Sequence, residues 1–165
     1  MPNLRRFAHL QWLFPIAVLV HNAEEAITMP AWASHHAAQL PVEPPSAAEI
    51  RIALLLLTLA VFGVTLGSAK KGRESIWAYL LFGGIVTMLL NVFVPHVPAS
   101  LAFRGYTPGV ITAVGINLPL MTLLAALALR EKWVVGWKAA LYAITVPIAV
   151  ACAITTGLIL ARILL

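Results

Sequence analysis

Aspartate is absent from this 165-residue chain, and cysteine occurs once. Charged residues of every kind make up 10%, against about 25% in a soluble domain. That is too little polar surface to cover a soluble globule. It also excludes a disordered tail and a nucleic-acid module, both of which need charge. Cys152 has no intrachain partner, so a disulfide scaffold is excluded too. What the chain does have is apolar residues, at 61%, gathered into long runs. Only an integral membrane protein fits that pattern.

A hydrocarbon core of about 30 Å takes roughly 20 helical residues. Five runs have that length: residues 8–29, 50–69, 76–95, 108–129 and 139–164. They are continuous and about twice as long as barrel strands, which also alternate in polarity. The expectation is therefore an all-α polytopic bundle of about five spans, forming one transmembrane domain over residues 1–165. Residues 30–49 are rich in Pro and Ala and read as the one long loop. Ser46 is placed to cap the second span, with Glu49 completing a capping box. Pro15, Pro119 and Pro147 are expected to bend their helices and free backbone carbonyls.

Basic residues near the span ends set the orientation. Arg5, Arg6, Lys70, Lys71, Arg73, Arg130, Lys132 and Lys138 share one side, against Arg51, Arg104 and Arg162 on the other. This puts the N-terminus in the cytoplasm and the C-terminus outside, in a multi-pass cell-membrane protein. The net charge of +5 is then mostly a topology signal. Arg5 and Arg6, a short apolar run and Ala31-Trp32-Ala33 also have the outline of a cleaved signal peptide. His21, Glu24 and Glu25 in that stretch argue against cleavage. The five tryptophans, Trp12, Trp32, Trp77, Trp133 and Trp137, read as interfacial belts.

Ionisable residues inside spans are costly and point to function. With this topology, His21 lies roughly 12 Å and Asn117 about 13 Å below the outer surface. Asn91 lies about one turn inside and His96 at the rim. Arg104 and Tyr106 occupy a short outer loop, and His35 and His36 the long one. The inner half is almost wholly apolar. His21, Glu24 and Glu25 lie within an arc of about 100° on one helix. That spacing lets a helix offer two ligands to one metal ion, with His96 as a third from another helix. Asn91 and Asn117 could support the site, anchor a polar substrate or simply join helices. The bland reading of the His/Glu group is an ion-pair network with Arg104 or Arg51. Gly63 and Gly67 form a GxxxG pair suited to close helix approach, within the bundle or in a homo-oligomer. Gly83 and Gly84 offer the same in the third span.

His21-Asn22-Ala23-Glu24-Glu25 is an HxxEE string near the start of a small polytopic membrane protein. With Asn91 to His96 (N-x4-H) and Pro108-Gly109-Val110-Ile111-Thr112 (PGxxT), the chain resembles the HXXEE-domain family of integral membrane proteins over roughly residues 10–160. The resemblance implies that His21, Glu24, Glu25, Asn91, His96 and the Pro108–Thr112 segment, Thr112 included, are the residues to watch. It implies no activity.

Three functions compete. The first is a metal-dependent, hydrolase-like membrane enzyme acting on a lipid or small amphiphile. His21, one of Glu24 or Glu25, and His96 would hold a divalent ion, most simply zinc. The other glutamate would serve as base, with Arg104 or Asn117 orienting or stabilising an oxyanion. A di-iron oxidase is disfavoured because such sites usually need four carboxylates. The second is a carrier or ion-binding protein, which would need polar groups along the inner half too. The third is a non-catalytic subunit using the cluster as helix glue.

Overall fold

The computed structural model describes residues 6–40 and 43–164, with side chains to residue 157. Arg5 and the side chain of Arg162, both used above for orientation, lie outside the described residues. The described chain is helical without strands. Its elements are α1 (Arg6–Leu10), α2 (Leu13–His35), a 3-10 turn (Ala37–Gln39), α3 (Ala47–Lys71), α4 (Ile76–Asn91), α5 (Val97–Ala102), α6 (Val110–Thr112), α7 (Leu118–Arg130) and α8 (Gly136–Leu164). Wide π turns at Val92–His96 and Ala113–Asn117 join α4 to α5 and α6 to α7. Four helical stretches are long and apolar enough to cross a membrane: Ala47–Lys71, Ile76–Ala102, Val110–Arg130 and Gly136–Gly157. α2 has the length, at 23 residues, but its His, Asn and Glu residues leave it more polar than these four.

The loop expected over residues 30–49 is shorter than its composition suggests, because α2 runs through Pro30 to His35. A proline inside a helix leaves the carbonyl four residues back without its usual donor. Here that carbonyl belongs to Ala26, and Arg51 Nε donates to it at 3.3 Å. The substitute donor lets the helix continue. α3 starts as expected: Glu49 N donates to Ser46 Oγ, and Ser46 N donates to Glu49 Oε2.

α4 is the central helix, packed against α3, α7 and α8, while α2 lies along α3. Water is not expelled between helices in lipid, so close packing must hold them together. Gly83 shows how close. A Cβ there would meet the Val146 side chain at 2.5 Å and the Tyr142 carbonyl at 2.7 Å. Gly84 in turn receives the ring of Phe14. Gly67 receives Trp77 from the same chain, whereas Gly63 has nothing within 4 Å. Phe14, Val18, Leu81, Ile85, Met121 and Leu124 form the buried core. The tryptophans divide. Trp12, Trp77 and Trp137 are exposed, Trp133 is buried against Phe7, and Trp32 stacks on His36.

Polar groups gather at both ends of the bundle. At the end formed by α1, the α3–α4 turn and the α7–α8 turn, Glu131 accepts from Phe7 N, and Gln11 bonds Ala8 O and Ser68 Oγ. At the opposite end lie the HxxEE residues, the α4–α5 bend and the segment before α6.

Candidate metal centre

His21 and Glu25 share one face of α2, and both approach His96. His21 Nε2 lies 3.8 Å and His96 Nε2 3.5 Å from Glu25 Oε1. The two imidazole rings meet edge to face, with centroids 4.8 Å apart. His21 and His96 are buried, at 1% and 4% exposure. One ligand atom from each of the three residues lies within 4.8 Å of the others.

The α4–α5 bend brings His96 there. On a regular helix Asn91 and His96, five residues apart, would point about 140° away from each other. Val94 takes an extended conformation (φ −150°, ψ 109°) before Pro95, which has no N–H to donate. The widened turn swings His96 back, and Asn91 Nδ2 reaches both His21 Nε2 (3.2 Å) and His96 Nε2 (2.9 Å). Such π turns recur at functional sites.

The hydrogen bonds fix both imidazole tautomers. Thr112 Oγ1 lies 2.6 Å from Glu24 Oε2 and 2.8 Å from His21 Nδ1. A carboxylate only accepts, so the single hydroxyl proton goes to Glu24, and Thr112 accepts from His21 Nδ1–H. That leaves the His21 Nε2 lone pair facing Glu25. An amide nitrogen only donates, so His96 Nε2 accepts from Asn91 Nδ2. Two imidazole lone pairs and a carboxylate oxygen therefore point at one spot. Among the described residues, the Asn91 amide is the one donor bonded to them.

The adjacent glutamates have different surroundings. Glu24 is saturated by donors: Thr112 N at 2.9 Å, Thr112 Oγ1, and the Tyr106 hydroxyl at 2.9 Å. Partial burial raises the Tyr106 phenol above its ordinary value, and its bond to Glu24 adds to the rise, so it remains a donor. Glu25 has only the two imidazoles as ion-pair partners among the described residues. Glu24 thus holds His21 through Thr112, and Glu25 faces the focus.

Gly109 closes the cluster on one side. Its backbone is left-handed (φ 83°), and a Cβ there would lie 2.5 Å from His96 Cε1, 2.9 Å from His21 Cε1 and 3.0 Å from Glu25 Oε1. Both conformation and space require glycine. Beside the cluster is a cleft of about 330 Å³ whose wall includes Glu25, His96 and Thr107.

His21, Glu24, Glu25, Asn91, His96, Tyr106 and Thr112, all singled out in the sequence, form one connected group. Arg104 is outside it. It is exposed in the turn after α5, with positive φ, and does not line the cleft. Asn117 is wholly buried in its π turn, with neither amide atom hydrogen-bonded. Thr107 was missed, and no spacing rule would have found a threonine in an irregular segment.

The description "Protein of unknown function with HXXEE motif" matches residues 12–124. The chain also aligns with the uncharacterized protein YrkK of Bacillus subtilis (strain 168), with 26% identity over 125 residues, covering 76% of this chain and 77% of that protein. No solved structure matches. The chain belongs to the HXXEE family.

Proposed function

We propose that this HXXEE-family chain is a metal-dependent, hydrolase-like membrane enzyme in which His21, Glu25 and His96 hold a divalent ion, most simply zinc. One observation carries the reading: three acceptor atoms converge where lone pairs and a carboxylate would otherwise repel. A divalent cation turns that repulsion into attraction. Tetrahedral zinc with bonds near 2 Å separates its ligand atoms by about 3.3 Å; two separations here are 3.5 and 3.8 Å, and all three lie within 4.8 Å. His21 is further supported by the kind of hydroxyl-to-carboxylate relay that orients metal-bound imidazoles.

Three protein ligands leave a fourth position for water, and a bound ion there supplies a nucleophile and polarises a substrate oxygen. The Asn91 amide now caps both imidazole nitrogens. It would turn aside or present its oxygen when the ion enters. Asn117, buried with both amide atoms free, remains the candidate to hold a substrate oxygen. Arg104 would need to move to take part. The apolar cleft beside the cluster favours a lipid or small amphiphile as substrate.

The wider setting belongs to the same proposal. α2 is the fifth span of a multi-pass cell-membrane protein, the basic end of the bundle is cytoplasmic, and the cluster faces the outer leaflet. Gly63, open on the surface of α3, is a contact for a second copy. A non-catalytic role as helix glue has one observation in its favour: Asn91 already ties α2 to the α4–α5 bend.

Metal analysis of the purified protein and of His21→Ala separates the two. About one divalent ion per chain, lost in the variant, supports the enzyme reading. No bound ion in either, with lowered stability of the variant, supports glue.

A further inference from the structure

The cleft has more to say about what the site takes. Its cavity of about 330 Å³ is at the small end for small-molecule sites. Met29 and Trp32 from α2, Leu40 from the loop, Ile50 from α3, and Ala99 and Phe103 beyond the α4–α5 bend form its apolar wall. Its polar groups are Glu25, His96 and Thr107. Thr107 is 3% exposed, and its hydroxyl has no hydrogen-bond partner. A buried hydroxyl left unpaired is costly, and this one lines the wall shared with the candidate ligands. Among the described residues, no lysine or arginine lines the cleft.

We infer that the cleft binds a single-chain amphiphile with an uncharged, oxygen-bearing head, such as an ester or alcohol, whose head hydrogen-bonds Thr107 beside Glu25 and His96. The inference rests on the metal reading for what happens to the head, but the binding itself does not need catalysis. The small volume admits one chain and not two. The apolar wall takes the chain. A phosphate head would call for arginine or lysine, and in the ion-free protein would meet the Glu25 carboxylate.

The test is equilibrium binding of radiolabelled glyceryl monododecanoate to the full chain, freed of metal by a chelator, in phosphatidylcholine nanodiscs, corrected for empty discs. Dodecyl phosphate and dioleoylglycerol serve as competitors. Saturable binding is expected, with both competitors at least tenfold weaker than the unlabelled monoester. Ala99→Phe fills the cleft and should abolish binding. Thr107→Val should weaken it about five- to tenfold, and Thr107→Ser should restore it. Undiminished binding in Ala99→Phe, an unchanged Thr107→Val, or preference for the phosphate or the two-chain lipid would overturn the inference. Cobalt(II) titration of the same samples keeps the two proposals apart. Ion binding without the expected probe binding rejects the cleft assignment alone, and wild-type protein that binds no ion rejects the metal reading.

Discussion

The two ends of the bundle spend their polar residues in opposite ways. At the α1 end, donors meet acceptors: Phe7 N with Glu131, and Ser68 Oγ with Gln11. At the HxxEE end, acceptors meet acceptors: His21 Nε2, His96 Nε2 and Glu25 Oε1 converge, with the Asn91 amide as the one donor bonded to them among the described residues. The first arrangement pairs these donors with acceptors and joins helices, although the Trp133 indole N–H beside it has no hydrogen-bond partner. The second is the arrangement that the proposed ion would complete. Burial alone does not separate them, since Gln11 and His21 are each 1% exposed. Only the donor and acceptor roles do.

Substitutions can break or sharpen this contrast. The largest effect is expected from His21→Ala, which should remove detectable ion binding, while Gln11→Ala should lower stability and keep the ion. Metal content and thermal unfolding in detergent check the pair. Next is Gly109→Ala, where strain at positive φ costs about 1–3 kcal/mol and the new methyl presses on both imidazoles and Glu25. Cobalt affinity should fall at least as far as stability does. Thr112→Val cuts the link from His21 to Glu24 and should weaken ion binding about 10- to 100-fold, with the overall fold kept by circular dichroism. The smallest effect is expected for Glu131→Gln, at about 1 kcal/mol of stability from a weakened bond to Phe7 N, with ion affinity unchanged.

Much of the site could be read from the chain. His21 and Glu25 share a helix face by their spacing alone. Asn91 and His96 were placed near them by depth along their span. Depth was enough because the membrane makes a buried polar residue costly whichever way its helix turns. The α4–α5 bend was not legible, although it is what brings Asn91 and His96 to one point. Nor could the chain tell Glu24 from Glu25, since Thr112 and Tyr106 reach Glu24 from 82 to 88 residues away. Pro30 suggested a loop because the donor that rescues Ala26 O comes from Arg51 on another helix. Gly109 stands in the PGxxT string, but its neighbours are set by tertiary packing. Arg104 was drawn toward the site by its position in an outer loop, and the turn after α5 leaves it exposed instead.

The central claim is that Glu25, His21 and His96 together hold one ion. Cobalt(II) titration of the protein in nanodiscs, followed by visible absorption, tests it most directly. The account predicts saturation at about one ion per chain with the strong absorption of a four-coordinate site, lost in Glu25→Gln and His96→Ala but kept in Glu131→Gln. A wild-type protein that shows no saturable cobalt absorption, or a Glu25→Gln variant with an unchanged titration, would contradict it.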